Sequence, residues 1–152
     1  MKLFKRIEFR HALSLMTVYL ITAVHHAYGA WLYQTPWRNH IVYQGFTWLL
    51  ASYLMLLIYV WWKKIWIKWI YLLFSGFFFI GAIGFYEGLY NHLLKNLLWI
   101  IGINSGTLLR LYPPPKYELP NDFFFELTGI LTIAACWWCL LVTFEFTRHR
   151  ND

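Results

Sequence analysis

The chain has 152 residues, of which 60% are hydrophobic, 22% are aromatic and only 13% are charged, and its formal net charge is +6. A soluble domain usually carries about 25% charged residues, so the composition argues against a soluble globular protein. The basic excess could indicate a nucleic-acid partner, but the distribution of the charges along the chain has a different explanation.

The charged residues leave four long gaps, and these gaps predict membrane-spanning helices. The gaps lie between Arg10 and Arg38, from Ile41 to Trp62, from Tyr71 to Tyr86 and from Leu127 to Phe144. A helix needs roughly 20 apolar residues to cross a bilayer, and weakly polar flanks extend the two shorter gaps. The predicted spans are about 11–33, 41–62, 66–90 and 122–146. The predicted fold is therefore an all-α membrane protein, a four-transmembrane-helix bundle in a single integral membrane domain.

The first predicted span allows a second interpretation. Basic residues, an apolar core and the small-residue pattern Ala27-Tyr28-Gly29 before Ala30 are typical of a cleaved signal peptide. Cleavage would leave three spans and place the new N-terminus outside. Because apolar and aromatic residues continue through Tyr33, the segment is long enough to cross the membrane, and the spanning interpretation is favoured.

The basic residues predict the orientation of the bundle. Cytoplasmic loops and tails carry an excess of Lys and Arg, and an N-in, C-in arrangement places most of them on one side. Those predicted inside are Lys2, Lys5, Arg6, Arg10, Lys63, Lys64, Lys68, Arg148 and Arg150, and those outside are Arg38, Lys95, Arg110 and Lys116. This arrangement explains the basic charge without a nucleic-acid partner. It predicts a bacterial inner-membrane protein whose partners are the lipid bilayer and, in one interpretation, other membrane subunits.

The connections between the spans differ in length. The first two are short, so helices 1 and 2, and helices 2 and 3, should be antiparallel neighbours. The third contains leucines and isoleucines at near-helical spacing over 92–103, which is too short to span. It predicts an interfacial or re-entrant helix, followed by an outer loop over 104–121 that contains Pro113-Pro114-Pro115.

Histidines and carboxylates from distant segments should meet at the outer end of the bundle. They are His25, His26, His40, Glu87, His92, Asp122 and Glu126. The inner half of the spans is predicted to hold no comparable set. Helical phase places His26 on the face of Ala23 and Ala27, towards the bundle, and turns His25 nearly opposite, in a structural position.

Glu87 is the strongest candidate within this set. An ionisable residue inside a span is costly and is by default a functional hypothesis, and Gly84 and Gly88 would let another helix pack closely around it. The predicted catalytic residues are Glu87, His92 and Glu126. The predicted ligand-binding residues are His26, Asn91 and Asp122, although Asp122 could instead cap the fourth helix.

Three functions are compatible with these residues. The first is binding of zinc or another transition metal by His26, Glu87, His92 and Glu126, with a b-type haem between His26 and His92 as a variant. Glu87 and His92 are about 140° apart on an α-helix, so they converge only if the helix bends near Tyr90 and Asn91. The second is metal-free acid–base catalysis on a lipid-like or quinone substrate. The third is a non-catalytic accessory or assembly subunit whose polar residues join the helices.

The only two cysteines, Cys136 and Cys139, form a CxxC motif inside the fourth span. The motif and the helix count resemble those of vitamin K epoxide reductase-type enzymes and membrane disulfide oxidases. That resemblance implies a redox-active pair relaying electrons through further cysteines, and the chain has only these two. The two thiols are therefore predicted to be small, polarisable packing residues.

Overall fold

A computed structural model describes residues 7–148 and shows an all-helical chain. Lys2, Lys5, Arg6 and Arg150, which contribute to the predicted orientation, lie outside the described residues. The helices are α1 (Ile7–Leu32), a 3₁₀ turn (Pro36–Arg38), α2 (Asn39–Trp62), α3 (Ile65–Ile100), α4 (Ser105–Leu111) and α5 (Phe123–Arg148). Within residues 7–148, four stretches are long and apolar enough to cross a membrane: Ile7–Leu32, Pro36–Trp62, Ile65–Ile100 and Phe123–Arg148. They coincide with the four predicted spans.

Helix α3 corrects the prediction for the third connection. It continues to Ile100 without a break near Tyr90 and Asn91, so the separate interfacial helix over 92–103 is wrong. Lys95 and Asn96 suggested a segment at the membrane surface, but both hydrogen-bond to Glu126 of α5 and therefore stay within the bundle. The loop instead contains the short α4, whose N-terminus is capped by the Asn104 side chain accepting from the Thr107 N–H at 2.9 Å.

The hydrogen-bond pattern of α3 also changes along its length. Ile65–Ser75 and Lys95–Ile100 are α-helical, whereas Gly76–Leu94 is π-helical. In a π-helix each N–H bonds to the carbonyl five residues back. Residues five apart therefore lie close together, as residues four apart do in an α-helix. This change governs the geometry of the site described below.

The bundle is held together by contacts of α1 with α5 and α2, and of α3 with α5 and α2. The predicted neighbours, helices 1 and 2 and helices 2 and 3, are thus confirmed. The predicted close packing at Gly84 and Gly88 occurs against α5. A methyl group at Gly84 would lie 2.9 Å from Cys136 Cβ, and one at Gly88 would lie 2.8 Å from Ile133 Cγ1.

The bundle has two ends: the lysine-turn end, which carries Lys63 and Lys64, and the proline-loop end, which carries residues 113–115.

The lysine-turn end is more polar than predicted. His11 is buried there between the Tyr71 hydroxyl and Thr143 Oγ1, which lies 2.9 Å from its Nε2. The prediction that this half holds no comparable polar set is therefore corrected in part: among residues 7–148, His11 is the one imidazole at this end, and no carboxylate bonds to it.

Candidate metal centre

The proline-loop end brings side chains from three helices together. Helix α1 contributes His25 and His26, α3 contributes Glu87 and His92, and α5 contributes Glu126. Four of these side chains converge: three histidines around one glutamate. This group, His25, His26, Glu87 and His92, is called the His3Glu cluster below.

The π-helical stretch of α3 makes the convergence possible. Glu87 and His92 are five residues apart, a spacing that separates them on an α-helix and aligns them on a π-helix. His92 Nε2 lies 3.6 Å from Glu87 Oε1. The bend that the sequence required at Tyr90 and Asn91 is therefore replaced by a change of helical register.

One oxygen of Glu87 is the centre of the cluster. Its Oε1 lies 3.6 Å from His26 Nε2, 3.6 Å from His92 Nε2 and 3.9 Å from His25 Nε2. His25, His26 and Glu87 each offer one possible ligand atom, and these three atoms all lie within 4.8 Å of one another. Hydrogen bonds between nitrogen and oxygen measure 2.7–3.2 Å, so these contacts are too long to be hydrogen bonds.

The remaining nitrogen of two histidines is fixed by a neighbour on α5. His25 Nδ1 lies 3.0 Å from Thr128 Oγ1, whose own hydrogen is donated to the Phe124 carbonyl at 2.9 Å. The contact with Thr128 holds the His25 ring with Nε2 towards Glu87. His92 Nδ1 lies 2.9 Å from Glu126 Oε2 and donates to this carboxylate, which can only accept when ionised.

Glu126 is itself held in place by two further donors. Lys95 Nζ donates to its Oε1 at 2.8 Å, and Asn96 Nδ2 donates to its Oε2 at 2.6 Å. The Asn91 side chain similarly donates to Glu87 Oε2 at 2.8 Å, which leaves Oε1 directed at the histidines. The rings and carboxylate are thus oriented from outside the cluster.

The inner atoms of the cluster are buried without hydrogen-bond partners. Within residues 7–148, this holds for His25 Nε2 and for both ring nitrogens of His26. Leaving a buried polar group unpaired costs about 1–3 kcal/mol. The three inner ring nitrogens face one carboxylate oxygen, an arrangement that a positive charge among them, a proton or a metal ion, would stabilise. The chemistry of this donor set is that of a cation site.

The sequence identified most of this arrangement. His26, Glu87 and His92 come together as a group, and Asn91 supports Glu87. Glu126, predicted as a ligand, lies on the far side of His92. Asp122 caps α5 by accepting from the Phe125 N–H at 2.8 Å, and it also accepts from the Tyr28 hydroxyl at 3.3 Å.

His25 is the residue that sequence reasoning missed. It was predicted to face away from His26, but its ring stacks on Phe125 at 4.2 Å and meets the His92 ring edge-on at 4.4 Å. α1 packs mainly against α5 and α2 and touches the π-helical part of α3, so rings from adjacent positions of α1 can both reach groups on α3 and α5. The consecutive histidines of α1 were the only signal of this in the sequence.

The cysteines lie away from the cluster. Cys136 and Cys139 are free and buried, and Cys136 Sγ lies 3.2 Å from the Phe79 carbonyl oxygen at the contact with α3. Their environment agrees with the predicted packing role.

A comparison of the chain with models of known protein families, with curated proteins and with solved structures finds no similar protein. The function is therefore argued from the geometry of the His3Glu cluster.

Proposed function

We propose that the chain is an integral membrane protein that binds one divalent transition-metal ion, zinc in the first place, in the His3Glu cluster. The observation that carries this proposal is the convergence of three imidazole nitrogens on one carboxylate oxygen, at distances too long for hydrogen bonds. Imidazole nitrogens and a carboxylate oxygen are ligands typical of zinc, iron, copper and nickel sites.

The ligand spacing supports a bound ion. Zinc–nitrogen and zinc–oxygen distances of about 2.0–2.2 Å put the ligand atoms of a tetrahedral site roughly 3.3–3.6 Å apart. The spacings of Glu87 Oε1 from the three nitrogens are 3.6, 3.6 and 3.9 Å. His25, His26 and Glu87 are the residues whose ligand atoms already lie within 4.8 Å of one another, so His92 would have to move towards His25 and His26 to bind the same ion.

The surrounding hydrogen bonds also support a metal. Metal-ligating histidines usually donate their second N–H to a carboxylate or another oxygen, which fixes the ring and raises its basicity. His92 donates to Glu126, and the second ring nitrogen of His25 lies 3.0 Å from the Thr128 hydroxyl oxygen, which can accept its N–H. Glu126 would therefore orient the His92 ring instead of binding the ion. His25 would replace Glu126 as the fourth ligand.

The other interpretations have less support. A purely polar network would join Glu87 and the histidines by hydrogen bonds, as would a metal-free acid–base pair of Glu87 and His92. A haem between His26 and His92 would need the space that the His25 ring occupies, 5.2 Å from the His26 ring and 4.4 Å from the His92 ring. No particular contact favours an accessory subunit.

The membrane assignment is part of the same proposal. Four apolar helices of spanning length support insertion in a bilayer, and the distribution of basic residues supports a bacterial inner membrane with both termini inside. The His3Glu cluster would then lie in the outer half of the membrane.

Metal analysis of the protein purified in detergent without chelators tests the proposal. We expect one bound transition-metal ion per chain. His26→Gln and Glu87→Gln should each lower the affinity at least tenfold, measured by competition with a chromogenic chelator. His40→Gln is the matched control, because His40 is exposed and hydrogen-bonds only locally, to the Trp37 carbonyl. The proposal is wrong if the wild-type protein binds no metal, or if the cluster variants bind it as tightly as the control.

A further inference from the structure

The His3Glu cluster is open on one side only, and a polar pocket lies there. The histidine side chains are 1%, 9% and 3% exposed, whereas the Glu87 side chain is 21% exposed. The pocket next to Glu87 is also lined by Arg38, His92, Lys95, Lys116 and Glu118. It therefore leads from the surface of the proline-loop end to the carboxylate and to one of the histidines.

The size of the pocket limits what it can hold. Its volume is about 20 Å³, and one water molecule needs roughly 10–15 Å³. The volume thus corresponds to one or two water molecules, so a ligand that occupies the pocket has to be of about that size. Burial raises the pKa of the Tyr117 hydroxyl, so this lining group stays neutral at physiological pH.

Without a bound metal ion, the positive and negative side chains around the pocket nearly balance. Arg38 forms an ion pair with Glu118, and Lys95 forms one with Glu126 at 2.8 Å. Neither pair uses all the donors of its cation. Lys95 has three N–H groups, of which one bonds to Glu126 and one to the Glu118 carbonyl at 2.9 Å. Within residues 7–148, Arg38 donates through Nε and Nη2, which leaves the N–H groups of Nη1.

A bound divalent ion leaves this region positively charged. Glu87 neutralises one of its two charges, and the exposed Lys116 adds another positive charge at the pocket mouth. Attraction between charges is stronger in a partly buried site than in water. The region therefore favours a small anion that reaches the metal beside Glu87.

We propose that the metal centre takes a small monoanion of two or three heavy atoms as an additional ligand, and that this ligand enters through the pocket between Arg38, Lys95 and Lys116. The inference rests on the proposed metal site. Zinc and related ions accept a fifth ligand, and the spare N–H groups of Lys95 and Arg38 would bind the outer end of the anion.

Azide is a suitable probe, and cobalt(II) is a suitable metal because its visible spectrum reports the number of ligands. We expect azide to change the absorption spectrum of the cobalt-loaded protein in a saturable titration. Removal of a positive charge in Lys116→Gln should weaken azide binding about threefold or more, while Glu118→Gln, which frees the charge of Arg38, should strengthen it. Arg110→Gln is the matched control, because Arg110 is an exposed cation outside the pocket lining.

The outcomes separate the two proposals. If cobalt binds but azide leaves its spectrum unchanged, the anion site is wrong and the metal site stands. If azide binds equally well to the Lys116, Glu118 and Arg110 variants, the anion does not use this pocket, and the inference is also wrong. If cobalt does not bind at all, both proposals fail.

Discussion

Glu126 is the residue that joins three donors beside the proposed metal site. Its carboxylate accepts from His92, Lys95 and Asn96. Loss of such a supporting group typically lowers metal affinity 10- to 100-fold. Glu126→Gln should therefore weaken metal binding by about that factor, measured by chelator competition, although Glu126 is not a ligand. Asp122→Asn, at the capping residue just before α5, should have no effect, because Asp122 bonds to the first turn of the helix; equal losses in both variants would contradict the assigned role.

Lys95 allows the orienting role to be separated from stability. It is 2% exposed and pairs with Glu126, so Glu126→Gln leaves a buried ammonium without its counter-charge. Removing one partner of a buried pair costs about 3–5 kcal/mol, and removing both often costs much less. The double variant Lys95→Met/Glu126→Gln should thus melt closer to the wild-type temperature than Glu126→Gln does, while metal affinity stays low. Recovery of the affinity together with the stability would show that Glu126 acts only on folding.

A substitution at Gly129 can displace the proposed ligand His92 without changing His92 itself. A methyl group built on Gly129 overlaps the Cγ, Nδ1 and Cδ2 atoms of the His92 ring. Gly129→Ala should push this ring away from Glu87 and lower metal affinity at least tenfold. Gly76→Ala is the control, because nothing lies within 4 Å of the added methyl group. Alanine is favoured over glycine in helices by about 1 kcal/mol, so the control should be slightly more stable, and Gly129→Ala with unchanged affinity would contradict the geometry.

At the residue scale the sequence predicted most, but not all, of the side chains that converge in the His3Glu cluster. Burial of ionisable residues within apolar spans is costly enough to mark Glu87 and His92 as functional. The ligand set was incomplete because helical phase was applied to α1 as an isolated helix. The direction of His25 depends on Phe125 and Thr128 of α5, which are 100 or more positions away in the chain, and a local pattern carries no such information.

At the scale of the elements, the contact between α3 and α5 keeps the two sides of the centre in register. Gly84 and Gly88 allow this close contact, because side chains of α5 occupy the space that a side chain at either position would need. Overpacking a tight contact costs about 1–3 kcal/mol. Gly88→Leu should therefore lower the melting temperature and the metal affinity together, since Gly88 lies next to Glu87. Gly81→Leu is the control, because its nearest neighbour is the Gly76 carbonyl oxygen at 3.8 Å; similar losses in both would show that α3 tolerates no bulk anywhere.

The elements also show where sequence patterns stop being informative. The spans follow from the length of charge-free segments, which is a property of composition, so their positions were predicted within a few residues except at the end of α3, which runs ten residues beyond the predicted 66–90. The π-helical register of Gly76–Leu94 depends on which carbonyl each N–H selects, and hydrophobic periodicity in an apolar span does not reveal that choice. For the same reason, Lys95 and Asn96 were predicted at the surface instead of against Glu126.

For the whole molecule, the two ends of the bundle differ in how their charges are used. At the proline-loop end, Arg38 and Lys95 are buried and paired with carboxylates. At the lysine-turn end, Lys63 and Lys64 are exposed, and the Arg10–Glu145 pair is 38% and 51% exposed. Within residues 7–148, the exposed basic residues are Lys63, Lys64 and Arg148 at the lysine-turn end and Arg110 and Lys116 at the proline-loop end. The proposed orientation therefore depends mainly on the number of basic residues in each tail and loop of the sequence.

The orientation can be tested with single cysteines, because both native thiols are buried. In a Cys136→Ala/Cys139→Ala background, Lys116→Cys and Lys64→Cys place one thiol at each end, at positions that are exposed. With the proline-loop end outside, a membrane-impermeant maleimide should label Lys116→Cys in intact bacterial cells and label Lys64→Cys only after permeabilisation. The cysteine-free chain provides the background signal. The reverse labelling pattern would show that the bundle has the opposite orientation. The pocket beside Glu87 would then face the cytoplasm, and the metal and its anion would have to come from inside the cell.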